Sequence, residues 1–270
     1  MKNQLIIDDD RPIGRLLTRR EILKVLGVSA AGAAVVACAP SVLPSLIPTA
    51  SPTAVPTATP LGATATPTSS GVAVPACVVR PALTEGPFFV DERLQRSDIR
   101  PDSSSGAVSV GIPLALAFAV SKVGSNTCDP FPAALVDVWH CNADGLYSDE
   151  ASNNTAGQNF LRGYQLTDAN GSAAFTTIYP GWYSGRTVHI HFKIRTDPDA
   201  SSGLEFTSQL FFDESVTAQV FAQQPYLARG PQDTTNARDG IYQSGGSQLL
   251  LAPTSSGAGY AATFEIGVVA

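Results

Sequence analysis

The sequence predicts an all-β domain, an antiparallel β-sandwich, preceded by an export signal and a disordered linker. Three observations support this prediction. Short runs rich in β-branched and aromatic residues recur through most of the chain, and Gly, Pro, Asn or Asp bound each of them. Helical periodicity is convincing in only one place. The N-terminal part has the composition of a signal followed by a spacer.

The predicted strands share this pattern of apolar residues between turn residues, and they cover 111–123, 133–141, 163–168, 172–180, 187–196, 207–214 and 261–270. A helix is expected over 215–223. The Asp-Ala-Asn-Gly sequence at 168–171 predicts a tight hairpin between its two flanking strands. Many short antiparallel strands separated by turns favour a sandwich.

The N-terminal segment, 1–37, has the form of a twin-arginine export signal. Arg19 and Arg20 precede an Ala- and Gly-rich run that is too short to span a bilayer. The residues before Cys38 resemble a lipobox, where cleavage leaves a lipid-modified cysteine. The alternative is an ordinary signal peptide that is cut elsewhere. We therefore expect export from the cytoplasm and a lipid anchor on Cys38, outside the cytoplasmic membrane.

Residues 38–72 consist almost entirely of Pro, Thr, Ser and Ala. Such a segment has too little apolar surface to offset the entropy lost on ordering, so it should be a semi-extended spacer. The remaining residues, 73–270, form one predicted domain that is long enough to bury a core.

The charge of the chain excludes some classes of partner. The formal net charge is −6 and the predicted domain contains no basic cluster. An acidic surface of this kind does not suit nucleic acid or anionic lipid headgroups. The composition gives no information about the oligomeric state.

Three cysteines lie in the predicted domain. Outside the cytoplasm an oxidised pair is expected, but spacing alone does not say which two residues form it. We favour Cys77 with Cys128, because both lie in turn-like segments flanked by proline. Cys141 is then expected to be a free, buried thiol.

Two of the three histidines in the chain, His189 and His191, lie one residue apart in the predicted strand 187–196. Because side chains alternate along a strand, both imidazoles leave the same face, opposite an apolar face that should meet the core. Such a pair can chelate one metal ion. The alternative is a solvated pair of surface histidines.

The oxygen donors near the histidines are phenols. The stretch 180–195 contains neither Asp nor Glu, and Tyr183 is the oxygen donor that precedes the histidine pair. A phenol has an ordinary pKa near 10, so it is a good ligand only for a cation acidic enough to remove its proton. This favours ferric iron over zinc or magnesium. A second tyrosine, Tyr147, follows a predicted Asp-Gly turn.

The segments that carry these residues resemble the intradiol ring-cleavage dioxygenases. The resemblance rests on "ALVDVWHCNADGLYSD", "FLRGYQLTDANGSAAFTTIYPGWYSGRTVHIHFKI" and "LTEGPFFVD", and it runs from about Cys77 to the end of "SQLFFDE". It implies a β-sandwich and one non-haem Fe(III) per chain. The family's two tyrosinate and two histidine ligands fall on Tyr147, Tyr183, His189 and His191.

The resemblance also implies roles for residues around the iron. The family's catalytic arginine and glutamine fall on Arg186 and Gln209. Its substrate-binding segment, in which many members have tyrosine where this chain has phenylalanine, falls on Thr84, Gly86, Pro87 and Phe88. The implied substrates are a small aromatic diol and dioxygen, and the product is a muconate-type diacid. The alternative is a non-catalytic, surface-tethered β-sandwich that binds a ligand; a complete set of iron ligands argues against it.

Overall fold

The computed structural model describes residues 78–124, 127–196 and 203–269. They contain two five-stranded sheets. The strands are β1 (Pro113–Val123), β2 (Cys128–Pro130), β3 (Leu135–Trp139), β4 (Arg162–Leu166), β5 (Ser172–Ile178), β6 (His189–Arg195), β7 (Glu205–Phe212), β8 (Leu250–Leu251), β9 (Thr254–Ser256) and β10 (Gly259–Val268).

The first sheet is built around β1. Strand β10 runs along one side of β1 and pairs with β9, while β5 and β2 share the other side. The second sheet has the order β4-β3-β6-β7-β8, so the strand with the two histidines lies in its middle. All seven predicted strands are present; the unpredicted β2, β8 and β9 have three residues or fewer.

Aromatic side chains join the two sheets across one apolar core. The ring centroids of Phe118 on β1 and Phe192 on β6 are 5.3 Å apart, and Phe264 on β10 lies 5.6 Å from Phe192. These rings belong to one cluster of buried residues drawn from both sheets. The packing is that of a β-sandwich, as predicted.

The prediction of purely antiparallel sheets was wrong in two places. Strand β10 runs parallel to β1, with Leu114 opposite Tyr260 and Lys122 opposite Val268. Strand β8 is parallel to β7. A tight turn between neighbours forces an antiparallel pair, but β10 follows β1 only after the chain has passed through the other sheet, so either direction is open to it.

The hairpin prediction at 168–171 was also wrong. The turn itself forms: the Asp168 Oδ1 accepts hydrogen bonds from the backbone N–H groups of Asn170 and Ser172, each at 2.8 Å. The strands on either side do not form a hairpin ladder, because β4 pairs with β3 and β5 pairs with β1. The Asn-Gly signal therefore marks a corner where the chain crosses from one sheet to the other.

Two short α-helices lie between β7 and β8: α1 (Glu214–Phe221), which was predicted, and α2 (Gly240–Gln243), which was not. The carboxylates of Asp213 and Asp239 cap their N-termini. Single 3₁₀ turns occur at Ala151–Asn153, Tyr226–Ala228, Asn236–Arg238 and Gly246–Gln248. Within the described ranges, no helix has the length and apolar character needed to cross a bilayer.

The cysteine predictions are partly tested. Cys128 is disulfide-bonded and Cys141 is a free, buried thiol. The predicted partner Cys77 lies outside the described residues, as do the predicted signal, the linker and Cys38. The pairing of Cys77 with Cys128 stays a prediction.

Candidate metal centre

The polar face of β6 is buried. His189 and His191 are 2% and 1% exposed, and every other residue of the strand is buried as well. The solvated surface pair considered above is therefore wrong. The segment 84–91 covers this face, and the charged residues further along β6 hold it in place.

Two cations of β6 fasten the covering segment. The Lys193 ammonium pairs with Glu85 and lies 4.0 Å from the centre of the Phe89 ring. The Arg195 guanidinium pairs with Asp91 at 3.0 Å. It also donates two hydrogen bonds to Asp137 of β3, at 2.9 and 3.0 Å.

The two tyrosines lie on loops that pack backbone against backbone. Tyr147 follows the turn 142–146, and Tyr183 follows 180–182. The N–H of Gly181 donates to the carbonyl of Asn142 at 3.1 Å. Gly145 has φ +78°, and a Cβ there would overlap the carbonyl of Trp182. Glycine at this position is thus required for the two loops to approach.

Four predicted ligand atoms converge at the start of β6. The Nε2 atom of His189 lies 3.0 Å from Nε2 of His191, 3.2 Å from Oη of Tyr183 and 3.5 Å from Oη of Tyr147. A transition-metal cation with bonds of about 2.0–2.1 Å brings neighbouring ligand atoms to about 3.0–3.4 Å from each other. The separations to His191 and Tyr183 fall in that range, and the separation to Tyr147, at 3.5 Å, is slightly longer.

The orientation of His189 leaves its Nε2 lone pair available. Nδ1 lies 2.6 Å from the carbonyl oxygen of Thr187, which can only accept, so Nδ1 carries the proton. Metal-binding histidines commonly donate their second N–H to a carbonyl in this way.

His191 is oriented by packing. Its ring stacks on Trp139, with centroids 5.0 Å apart and an angle of 10° between planes, and a Cβ on Gly86 would lie 3.3 Å from its Cε1. Its Nδ1 is buried with no hydrogen-bond partner among the described residues. Stacking and the close approach of Gly86 therefore take the place of a second hydrogen bond.

Burial sets the protonation of the four groups. It lowers the pKa of His189 to about 3 and that of His191 well below its ordinary value, so both imidazoles are neutral ligands at neutral pH. Burial also raises the pKa of Tyr183 to about 12 and that of Tyr147 well above 10. Two such phenols ionise readily only beside a strongly acidic cation.

These observations fit ferric iron. The described residues hold no cluster of three or more His, Cys, Asp or Glu, so carboxylates and thiols do not form a competing site there. Two neutral imidazoles and two phenols at coordination spacing suit a hard, acidic cation.

The predicted catalytic residues form one hydrogen-bonded chain. Arg186 donates from Nη2 to Oε1 of Gln209 at 2.6 Å, and Gln209 donates from Nε2 to the carbonyl of Thr84 at 2.9 Å. Gln209 lies opposite His191 in the register of β6 and β7. Arg186 also donates from Nε to Asp239 at 2.8 Å. Although burial opposes ionisation of Asp239, the charge of Arg186 and the donated N–H groups hold its pKa below the ordinary value.

The predicted substrate segment forms a wall beside the tyrosines. The ring of Phe88 stacks on Tyr147, with centroids 4.2 Å apart, and meets Tyr183 edge-on at 5.8 Å. The N–H of Gly86 donates to Oγ1 of Thr84 at 3.1 Å. Pro87 is exposed. Gly86 and Phe88 thus lie against the candidate ligands, and Thr84 is joined to Gln209.

Sequence reasoning missed two neighbours of the site. Trp139 lies opposite His191 in the register of β3 and β6, which no sequence pattern reveals before the pairing is known. Asp239 comes from a loop far along the chain. By contrast, the third histidine, His140, is a hydrogen-bonded core residue: its ring contacts the Cys141 carbonyl at 2.8 Å and the Thr177 hydroxyl at 2.6 Å.

Comparison with known proteins points to one group. Residues 84–227 match a family model described as "Dioxygenase". The beta chain of protocatechuate 3,4-dioxygenase from Burkholderia cepacia is 33% identical over 179 residues, covering 61% of this chain and 69% of that protein. Chlorocatechol 1,2-dioxygenase from Pseudomonas putida is 31% identical over 110 residues, which span 34% of this chain and only 40% of that relative.

A solved structure is similar over a greater length. An intradiol ring-cleavage dioxygenase from Tetranychus urticae superposes with a TM-score of 0.63 at 28% identity. The match covers 72% of this chain and 95% of that one. The similarity therefore extends over almost the whole of a known protein of this kind.

Proposed function

The chain belongs to the family of intradiol ring-cleavage dioxygenases, and we propose that it opens a catechol-type ring between its two hydroxyl groups. In this proposal it uses ferric iron and dioxygen and releases a muconate-type diacid. The observation that carries the proposal is the convergence of Tyr147, Tyr183, His189 and His191 at coordination spacing, as measured above. The family match does not favour the alternative of a non-catalytic binding module.

In this proposal the four residues would hold the iron, and each is prepared by its surroundings. His189 presents Nε2 because Thr187 fixes the proton on Nδ1, and His191 presents Nε2 because Trp139 and Gly86 fix its ring. When bound, ferric iron supplies Lewis acidity and makes a catecholate ring reactive towards dioxygen.

Tyr183, as the phenolate that a bound ferric ion would stabilise, is the tyrosine suited to receive a proton from the substrate. It is half-buried, whereas Tyr147 is 1% exposed and lies beneath the ring of Phe88. A substrate hydroxyl would therefore reach Tyr183 more easily than Tyr147. We propose Tyr183 as a general base for one of the two hydroxyl protons.

Arg186 supplies positive charge next to the reacting ring. Its guanidinium is held at two nitrogens by Asp239 and Gln209. Burial and the charge of Arg186 both lower the pKa of His189, whereas in Tyr183 burial raises the pKa and the charge of Arg186 lowers it. A fixed cation of this kind stabilises negative charge that develops on a substrate during reaction. Gln209 would link this charge to the wall at Thr84.

The wall formed by Thr84, Gly86, Pro87 and Phe88 would exclude water from one side of the substrate. Phe88 offers an apolar ring and no hydrogen-bonding group. Substituents on the catechol that face Phe88 should therefore be apolar, and which catechol is used depends on this wall and the surrounding loops.

We further propose that the enzyme acts outside the cytoplasm, exported by the twin-arginine route and tethered through a lipidated Cys38. The sequence of 1–72 is the whole support for this statement. Detergent partitioning of the full chain and of Cys38→Ser, made in a host with twin-arginine export, tests it. Loss of the membrane fraction in the variant is the expected result; equal membrane fractions would contradict it.

The activity is tested with the iron-loaded protein. We expect a reddish colour from tyrosinate-to-iron charge transfer, and oxygen uptake with a panel of catechol, protocatechuate and hydroxyquinol. Tyr183→Phe should shift or abolish the colour. Tyr164→Phe, the same change on strand β4, is the matched control and should alter neither. A colourless protein that binds zinc and leaves every diol untouched would end the proposal.

A further inference from the structure

We infer that Asp239 is a positioning residue for the reaction, which fixes the guanidinium of Arg186 beside the metal centre. This inference rests on the proposed function, because it concerns the same site. It adds a residue that lies outside 84–227, the part of the chain that matches the family model.

The carboxylate of Asp239 makes four contacts, two towards the site and two away from it. Its Oδ2 accepts from Nε of Arg186 and from the backbone N–H of Thr187, both at 2.8 Å. Its Oδ1 accepts from the N–H groups of Ile241 and Tyr242 at 2.8 and 3.0 Å. One side chain therefore joins the start of α2 to the two residues that lead into β6.

The loop that carries Asp239 is itself fixed. Asp239 is 1% exposed. Three residues earlier, Asn236 accepts a hydrogen bond from the Thr187 hydroxyl at 2.7 Å and donates to the carbonyl of Phe212 at 2.9 Å. Its backbone N–H donates to Glu214 at 2.6 Å. The carboxylate is thus a rigid support, joined to the end of β7 and the start of α1.

Asp239 and Gln209 together define the plane of the Arg186 guanidinium. Nε is held by Asp239 and Nη2 by Gln209, so the rotation of the planar group is fixed from two sides. Gln209 alone would leave the group free to turn about one hydrogen bond. Removing the Asp239 charge should therefore misplace Arg186. Within the described residues, no side-chain hydrogen bond joins Asp239 to any of the four candidate ligands.

A simple helix cap is the competing explanation, and the chain contains a matched control for it. Asp213 caps α1 as Asp239 caps α2, with Oδ1 accepting from the N–H of Ser215 at 2.8 Å. Among the described residues, Asp213 forms no hydrogen bond or ion pair with Arg186 or with a candidate ligand. Asp213→Asn thus reproduces the loss of a cap charge while leaving the site intact.

The experiment compares iron-loaded wild type with Asp239→Asn, Asp213→Asn, Arg186→Gln and the Arg186→Gln/Asp239→Asn double variant. We expect Asp239→Asn to lower kcat on the order of 10²-fold, because a misplaced charge loses its effect on the reaction. The charge-transfer band of the iron should not move. Asp213→Asn should have wild-type kcat, and the double variant should be no slower than Arg186→Gln.

Several results would overturn the inference. The first is a wild-type kcat in Asp239→Asn. The second is a double variant that is slower than Arg186→Gln by the same factor by which Asp239→Asn is slower than wild type. The third is a charge-transfer band that shifts in Asp239→Asn. If Asp239→Asn does not fold, Asp239→Glu replaces it in the same cycle, with the same comparison against Arg186→Gln. A wild-type protein that oxidises no diol is a different failure: it overturns the proposed function, and this inference with it.

Discussion

Replacing Gly145 by alanine perturbs the contact between the two loops that carry the tyrosines. Gly145 lies two residues before Tyr147, and Trp182 lies directly before Tyr183. An alanine Cβ would overlap the carbonyl oxygen of Trp182 and lie 2.9 Å from its carbonyl carbon. Backbone atoms cannot move aside by changing rotamer, so the loops themselves must separate.

The magnitude follows from two contributions. Alanine at φ +78° is strained by about 1–2 kcal/mol, and the overlap adds about 1–3 kcal/mol, as overpacking does elsewhere. Gly157→Ala isolates the first contribution, because Gly157 has φ +76° and a methyl group there would meet no atom within 4 Å. For a domain of this size, the extra 1–3 kcal/mol lowers Tm by roughly 2–12 °C.

Two measurements test this prediction. Thermal unfolding of the metal-free variants, followed by circular dichroism, should give a lower Tm for Gly145→Ala than for Gly157→Ala. Iron retained after dialysis against a chelator should fall in Gly145→Ala alone, because its two phenols have moved apart. Equal Tm values and equal iron contents in the two variants would refute the reasoning.

Two further predictions concern residues outside the ligand set. Burial lowers the pKa of His140 to about 4 from an ordinary 6.5, so the neutral ring contributes about 3 kcal/mol of stability that is complete above pH 6.5 and lost as the pH falls towards 4. Urea unfolding should show a smaller loss over this pH range in His140→Gln than in wild type, because burial also lowers the pKa of His189 and His191 and these two keep their share of the loss. The same slope in both proteins would contradict the prediction. Arg195→Met should cost about 3–5 kcal/mol in urea unfolding, since it leaves the carboxylate of Asp137 buried without its partner. Adding Asp137→Asn should recover part of that loss, and no recovery would argue against the pair.

The sequence predicted the parts of the site that depend on local geometry. His189 and His191 share a face because they are two residues apart in a strand, and the structure has them on one face with their Nε2 atoms 3.0 Å apart. Tyr147, by contrast, was predicted as a ligand from the resemblance to a family. Local geometry could not predict it, because its approach to Tyr183 depends on how two loops pack.

What sequence reasoning missed is non-local. Trp139 meets His191 only through the register of β3 against β6, and Asp239 meets Arg186 across 53 positions of chain. Parallel pairing of β1 with β10 likewise depends on the path through the second sheet. Composition and periodicity describe one segment at a time, so contacts of this type require the folded structure.

The alternation along β6 divides its polar face into two parts. His189 and His191 present nitrogen atoms to the candidate metal centre, while Lys193 and Arg195 hold the segment that covers them. Charged residues at these positions would be costly on a buried strand without partners, and the covering segment supplies those partners. The ligands and their cover are thus specified by one strand, with the ligands at its start and the anchors at its end. The two cations beyond the histidines hold the segment that buries them, and this burial keeps both imidazoles neutral.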